Sequence, residues 1–234
     1  MTAGEVPDNS QVVRALRARV AALLLAAVAI FVGVSTAYRV VNTIDRLELV
    51  ERERDRWQRP AEVIQALNLK ENSVVMDLGA GAGYFALRLA PVVKRGRVLA
   101  VDVRGASLFF LRLRALLRGQ WNVTTVRGRA EDPHSRDAAI DAILIANTYH
   151  EFTHPDEVLA QANWSLAPDG RLVILDRAGG AEGNHHHAAE EDVESELVRA
   201  GFVIGERHPS FIDAAGRESW WLIVARKGPA GKHP

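Results

Sequence analysis

Apolar and polar positions along this chain fall into two alternating patterns. Short apolar runs recur as Val74–Met76, Arg97–Val101, Asn122–Val126, Ala139–Ala146 and Arg171–Leu175. Two more, Phe202–Arg207 and Trp220–Ala225, lie near the C-terminus. Each is short enough for a strand, and the first is a run buried on both faces. Between them lie stretches with apolar residues at helical spacing: Phe85–Val93, Arg104–Arg118, a segment carrying Val158, Leu159, Ala162 and Leu166, and Ala188–Ala200. Strands alternating with helices predict an open, mainly parallel sheet covered on both faces. Ahead of the first strand, Pro60 suits the first turn of a helix Ala61–Leu67, with Val63, Ile64 and Leu67 on one face.

The N-terminal fifth follows a different pattern. Residues 1–10 are polar and are expected to be disordered. Arg14, Arg17 and Arg19 follow, and then Val20–Tyr38 runs 19 residues without a charge. At ~1.5 Å per residue a helix of that length crosses a hydrocarbon core of ~30 Å. A single membrane anchor is the preferred reading. A cleaved signal peptide is the second, because Ser35-Thr36-Ala37 is similar to a small-residue cleavage site after a basic flank. A buried soluble helix is the third, and the lack of a polar face opposes it. Arg39, Arg46, Arg52, Arg54 and Arg56 after the segment favour a cytoplasmic C-terminal domain on the inner membrane. The organisation expected is therefore a basic N-terminus at 1–19, a span at 20–38, a charged, solvated stalk at 39–59, one α/β domain at 60–227 and a disordered tail at 228–234.

The chemistry centres on Val74-Val75-Met76-Asp77-Leu78-Gly79-Ala80-Gly81-Ala82-Gly83-Tyr84-Phe85. An apolar strand ends in an acid, and glycines follow at alternate positions. Glycines permit positive φ and let a ligand approach the backbone. The helix start beyond offers free N–H groups. No Gly-Lys-Ser/Thr is present, so a phosphate-cradling P-loop is excluded. The next strand ends in Asp102, 19 residues after Gly83, where a carboxylate can accept both hydroxyls of a ribose.

Together these residues resemble the class I S-adenosylmethionine-dependent methyltransferases, whose first motif is an apolar run followed by D-x-G-x-G-x-G. The resemblance extends over about residues 57–227. It implies a three-layer, doubly wound, Rossmann-like α/β fold with seven strands in the order 3-2-1-4-5-7-6, the last antiparallel, here preceded by the transmembrane helix. It implies S-adenosylmethionine as cofactor, held by Asp77, Gly79, Ala80, Gly81, Gly83 and Tyr84, by Asp102 and Val103, and by Asn147 after the fourth strand. The loop Gly128-Arg129-Ala130-Glu131-Asp132 would meet the adenine. Arg129 stands where the commoner pattern has Asp, so Ala130, Glu131 and Asp132 are left to make that contact. Trp57 and Arg59 would border the pocket, or else pack and face solvent.

The loop Asn147-Thr148-Tyr149-His150-Glu151-Phe152 follows the fourth strand, over the ligand crevice of such a sheet. Methyl transfer needs alignment, desolvation and a base wherever the nucleophile carries a proton. An imidazole titrates near neutrality, so His150 is the candidate base or a packing residue. Glu151 is a second base or orients His150, and Tyr149 stacks on or hydrogen-bonds the acceptor.

Composition narrows the partners. Lys+Arg and Asp+Glu are both 29, so no bulk charge points to nucleic acid. No cysteine is present, which excludes disulfides and thiolate metal sites. His185-His186-His187 invites a metal reading, but adjacent histidines cannot readily all reach one ion, and no metal is expected. The reading is a membrane-anchored methyltransferase whose acceptor is a small molecule or a lipid-soluble or membrane-bound one; oligomeric state is not legible. A nicotinamide-dependent oxidoreductase is opposed by the glycine spacing. A non-catalytic cofactor-binding module is opposed by the intact Asp77, glycine and Asp102 set.

Overall fold

The computed structural model describes residues 9–128, 139–178, 189–213 and 219–228. The chain divides into two units, Met1–Leu49 and Val50–Pro234.

The described residues of the first unit belong to one helix, α1, Asn9–Asp55, whose last residues lie in the second unit. Asn9 and Ser10, expected in a disordered end, are helical. The apolar stretch is long enough to cross a membrane, and none of it is buried against protein. That exposure separates it from the core helix of a soluble domain.

The second unit is built on a seven-stranded sheet. Its strands are β1 (Val74–Leu78), β2 (Arg97–Asp102), β3 (Val123–Arg127), β4 (Ile140–Ala146), β5 (Leu166–Arg177), β6 (Phe202–Ile212) and β7 (Trp220–Lys227). They lie in the order β3-β2-β1-β4-β5-β7-β6. β1 pairs in parallel with β2 and β4, β2 with β3, and β4 with β5, while β7 runs antiparallel to both β5 and β6. This is the expected fold class and strand order.

Successive strand residues alternate between the two faces. Val75 of β1 and Ala142 and Leu144 of β4 join Val63 and Leu67, Ala86 and Leu89, and Leu108 and Leu111 in one core. These belong to or flank α2 (Pro60–Ala66), α3 (Ala86–Leu89) and α4 (Gly105–Leu117). Met76, Ile143 and Ile145 face the other core with Val158 and Leu159 of α5 (Pro155–Ser165) and Val193 and Leu197 of α6 (Glu190–Arg199). Covering both faces is why the parallel strands read as continuous apolar runs.

Regular helix after the glycine stretch is shorter than the apolar spacing predicts. α3 covers four residues rather than Phe85–Val93. Pro91 lies in that span, has no N–H to donate, and leaves the chain to reach β2 through turns. β5 and β6 are longer than expected: the start of β5 pairs with β4 through Leu166 and Ile140, and β6 continues along the antiparallel β7 to Ile212.

Gly96, in the turn before β2, packs against the turn that starts β1. A Cβ there would lie 1.9 Å from the Ser73 carbonyl oxygen. Gly96→Ala is expected to lower unfolding free energy by about 1–3 kcal/mol. Urea unfolding would measure this, and an unchanged midpoint would mean that the Ser73 turn yields freely.

Candidate active site

The carboxyl edge of β1, β2, β4 and β5 gathers most of the polar residues singled out by sequence. Asp77 is 2% exposed. Burial pushes its carboxyl up to about 7, with the nearby Asp102 charge adding to the rise; the Ala86 N–H and Arg54 oppose it. Its Oδ2 is buried with no hydrogen-bond partner among the described residues.

The three glycines serve different purposes. Gly79 has φ +82°, and a Cβ there would stand 2.2 Å from Thr148 Cγ2. This glycine lets the loop after β4 press onto the loop after β1, a protein contact made beside its place on the cleft wall. The N–H groups of Gly79 and Ala80 both donate to the Val101 carbonyl, at 2.8 and 2.9 Å, tying the loop to β2. Gly81, at φ +54°, has nothing within 4 Å of its Cβ position, so it presents bare backbone to open space. Its N–H donates to Asp102 Oδ2 at 2.7 Å. Gly83, at φ +101°, makes room for Leu111, which a Cβ would approach to 2.8 Å.

Asp102 closes the other side. It is 4% exposed, and its Oδ1 accepts the Arg104 N–H at 2.8 Å. A cleft opens beside it, lined by Gly79, Val103 and Arg104 together with Thr148, Glu151 and Phe152. Its apolar side and its buried carboxylate suit a ligand with a flat ring and hydroxyls.

Beyond β4, Asn147 takes a left-handed conformation, φ 56°, and its N–H donates to the Leu175 carbonyl at 2.7 Å. Its Oδ1 is buried without a hydrogen-bond partner among the described residues. Residues Tyr149–Glu151 form a single 3-10 turn. Three residues per turn set consecutive side chains about 120° apart. Tyr149, His150 and Glu151 therefore cannot all face one acceptor, as their adjacency in sequence had suggested.

The three residues do diverge. Tyr149 turns into the core, and its hydroxyl donates to Glu196 of α6. Burial, and then that bond, push its phenol above the ordinary range. It supports the loop and does not line the cleft. Glu151 lines the cleft. His150 turns toward β5, where its Nδ1 lies 2.8 Å from Asp176 Oδ1 and its side chain is 4% exposed. Arg177 Nη2 lies 3.2 Å from His150 Nε2. A guanidinium only donates, so Nε2 holds a lone pair and Nδ1 carries the proton given to Asp176. This tautomer places Nε2 on the side away from the carboxylate, against Arg177.

Tyr84, expected at the cofactor, donates its hydroxyl to Asp55 of α1 at 2.9 Å. Arg54 and Arg88 lie over its ring at 3.8 and 4.1 Å. Ala130, Glu131 and Asp132, and His185–His187, lie outside the described residues. Among the described residues no group of three or more His, Asp or Glu side chains is placed to hold a metal ion.

Sequence reasoning missed Asp176 as a site residue. A signal was present: Asp176 stands at the carboxyl end of an apolar parallel strand, as Asp77 and Asp102 do. Trp57 packs against Trp220 with ring centroids 5.6 Å apart. Arg59 reaches the Phe211 carbonyl and Glu62, so both act as packing residues.

Comparison with known proteins fits this geometry. Residues 75–170 match the methyltransferase domain family. A S-adenosylmethionine-dependent methyltransferase from Aquifex aeolicus superposes with TM-score 0.62 and 25% identity, over 71% of this chain and 88% of its own. The family match, the sequence relatives and the solved structure together support a class I S-adenosylmethionine-dependent methyltransferase family. Among relatives by sequence, the uncharacterized methyltransferase YcgJ of Bacillus subtilis is 26% identical over 163 residues, 70% of this chain and 59% of its own. The demethylmenaquinone methyltransferase of Thermus thermophilus is 33% identical over 121 residues, 52% and 54% of the two chains. The chain spans about half the length of the curated relatives it matches.

S-adenosylmethionine is the cofactor of this family, and the residues present fit it. The unpartnered Asp77 Oδ2 is a ready acceptor for an ammonium group, the bare backbone at Gly81 leaves room for close approach, and Asp102 faces a cleft that suits an adenosine. The Asp77 oxygen is a buried acceptor that the described residues leave without a donor.

The raised Asp77 carboxyl has a signed consequence for stability. Its ordinary value is 3.8 and its folded value is about 7, so between these the native state binds more protons than the unfolded state. Stability therefore falls as pH rises through that window. Asp77→Asn, which keeps an acceptor for the Ala86 N–H, should gain on the wild type as pH rises from 4 to 7. Urea midpoints across that range would show it, and parallel curves would remove Asp77 from the account.

Proposed function

We propose that this chain transfers a methyl group from S-adenosylmethionine to an acceptor that loses a proton in the reaction. The observation that carries the reading is the closure of the Gly79–Gly83 loop onto Asp102 through the Gly81 N–H, with Asp77 buried beneath it. In this reading Asp102 receives the ribose hydroxyls, Asp77 faces the amino-acid end, and Val103 and Glu151 border the adenosine. The cofactor supplies an electrophilic methyl on a sulfonium sulfur. His150 accepts the acceptor's proton at Nε2 once the Arg177 guanidinium that donates to that lone pair turns to the acceptor, and Asp176 holds the imidazole in the tautomer that leaves Nε2 free of a proton. Arg177, beside Nε2, favours an acceptor that carries negative charge once deprotonated.

The exposed apolar helix supports a membrane-anchored enzyme, and the arginines that follow it favour a catalytic unit in the cytoplasm, where the cofactor is made. Anchoring in turn favours a lipid-soluble acceptor. The demethylmenaquinone methyltransferase among its relatives supports an acceptor of the quinone-precursor kind.

Calorimetric titration of the full chain in detergent with S-adenosylmethionine and S-adenosylhomocysteine tests the core of this. Micromolar binding is expected, weakened at least tenfold by Asp102→Ala. A folded chain that binds neither would overturn the reading. His150→Ala should lower kcat by about 10²–10⁴ while leaving the S-adenosylhomocysteine Kd unchanged; loss of binding instead would place His150 in the cofactor pocket. Alkaline carbonate extraction of cell membranes tests the anchor, and a mature N-terminus near Ala37 would show cleavage.

A further inference from the structure

The last turns of α1 contain two carboxylates one helical turn apart, Glu51 and Asp55, and each holds an arginine. Arg114 of α4 binds Glu51 in a fork, Nη1 to Oε1 at 2.8 Å and Nη2 to Oε2 at 2.7 Å. The pair is buried, with side chains 1% and 8% exposed. The same Nη1 donates to the Ala82 carbonyl at 2.7 Å. Arg88 of α3 repeats the arrangement. Its Nη2 donates to both Asp55 oxygens at 2.8 Å, and its Nη1 to the Tyr84 carbonyl at 2.6 Å. Asp55 also accepts from the Tyr84 hydroxyl.

Two carboxylates of α1 thus aim two guanidiniums at two carbonyls of the glycine loop. Ala82 and Tyr84 flank Gly83, next to the residues that face the cofactor cleft. A forked arginine–carboxylate pair is directional, and out of water it resists reorientation. We infer that Glu51 and Asp55, through Arg114 and Arg88, are positioning residues for the cofactor loop, so that cofactor affinity is set in part by the end of α1. The inference rests on the cofactor reading above. Coupling is reciprocal, so cofactor binding also steadies the end of α1.

The test is S-adenosylhomocysteine titration of the full chain in detergent, with hydrogen exchange read at residues 51–58. Glu51→Gln alone leaves the Arg114 charge buried and uncompensated, which can prevent folding. The informative variant is the double Glu51→Met, Arg114→Met, which keeps the site filled and removes both charges together. A folded double variant is expected to bind at least fivefold more weakly, and S-adenosylhomocysteine is expected to slow exchange at 51–58 in the wild type. Asp55→Asn, at the more exposed pair, carries the test if the double variant does not fold, with at least a threefold loss expected. Wild-type Kd in a folded variant, with no ligand-dependent exchange at 51–58, overturns the inference and leaves the cofactor reading intact. Failure of the wild type to bind overturns both.

Discussion

At the carboxyl edge of one parallel sheet, β1, β2 and β5 each deliver a carboxylate into a nearly dry position: Asp77, Asp102 and Asp176 are 2%, 4% and 0% exposed. Burying an ionised acid is costly unless donors surround it. The donors come from the chain that leaves each strand. Asp77 takes the Ala86 N–H; Asp102 takes those of Gly81 and Arg104; Asp176 takes those of His150 and Arg177. Loop shape and acid placement are therefore one constraint. A loop that relaxed would strand a carboxylate, and an acid that was lost would free a loop. Asp77 is the least satisfied of the three, with an orphan oxygen and a raised pKa, and it lies in the motif expected to meet a charged ligand.

Backbone conformations follow from the same constraint. The loop after β1 needs positive φ at Gly79, Gly81 and Gly83, and the loop after β4 needs it at Asn147. At Gly79 and Gly83 the vacant Cβ position is occupied by neighbouring side chains, so packing demands glycine as much as dihedral angle does. Only at Gly81 does the missing side chain open onto free space. One motif with even spacing thus serves three purposes: contact with the β4 loop, exposure of backbone, and contact with α4.

Much of the fold was legible, because strand and helix patterns alternate and each buried strand reads as an apolar run. Strand order itself came from the resemblance to a family, since no local pattern specifies which strands pair. The site was less legible, for reasons particular to its residues. His150 and Asp176 meet across 26 positions, from the turn after β4 and the end of β5, which only the sheet brings together. Tyr149 and Glu151 were grouped with His150 by adjacency, and the 3-10 turn disperses them. Glu51 reads with a solvated stalk and Arg114 is one charge within the helix Arg104–Arg118, yet both are buried. Arg114 did carry a signal. It stands three residues after Leu111 and six after Leu108, on the apolar stripe of α4, where a charge implies a buried partner.

Thr148 joins the two halves of the site. Its side chain fills the space over Gly79, and its Oγ1 lies 3.4 Å from the Gly79 carbonyl and 3.2 Å from that of Ala146. The glycine loop and the loop bearing His150 are consequently locked to each other through one side chain at van der Waals contact. Two residues further on, His150 is fixed from the other direction by Asp176. The imidazole therefore has its place defined relative to β1 and to β5 at once, before any ligand arrives. Methyl transfer is an in-line displacement, where alignment rather than bond polarisation is the protein's main contribution. A sheet edge that fixes both loops to its own strands supplies that alignment from the fold itself. On this view the end of α1 extends the same logic: it fixes the carbonyl side of the glycine loop, as Thr148 fixes its β4 side.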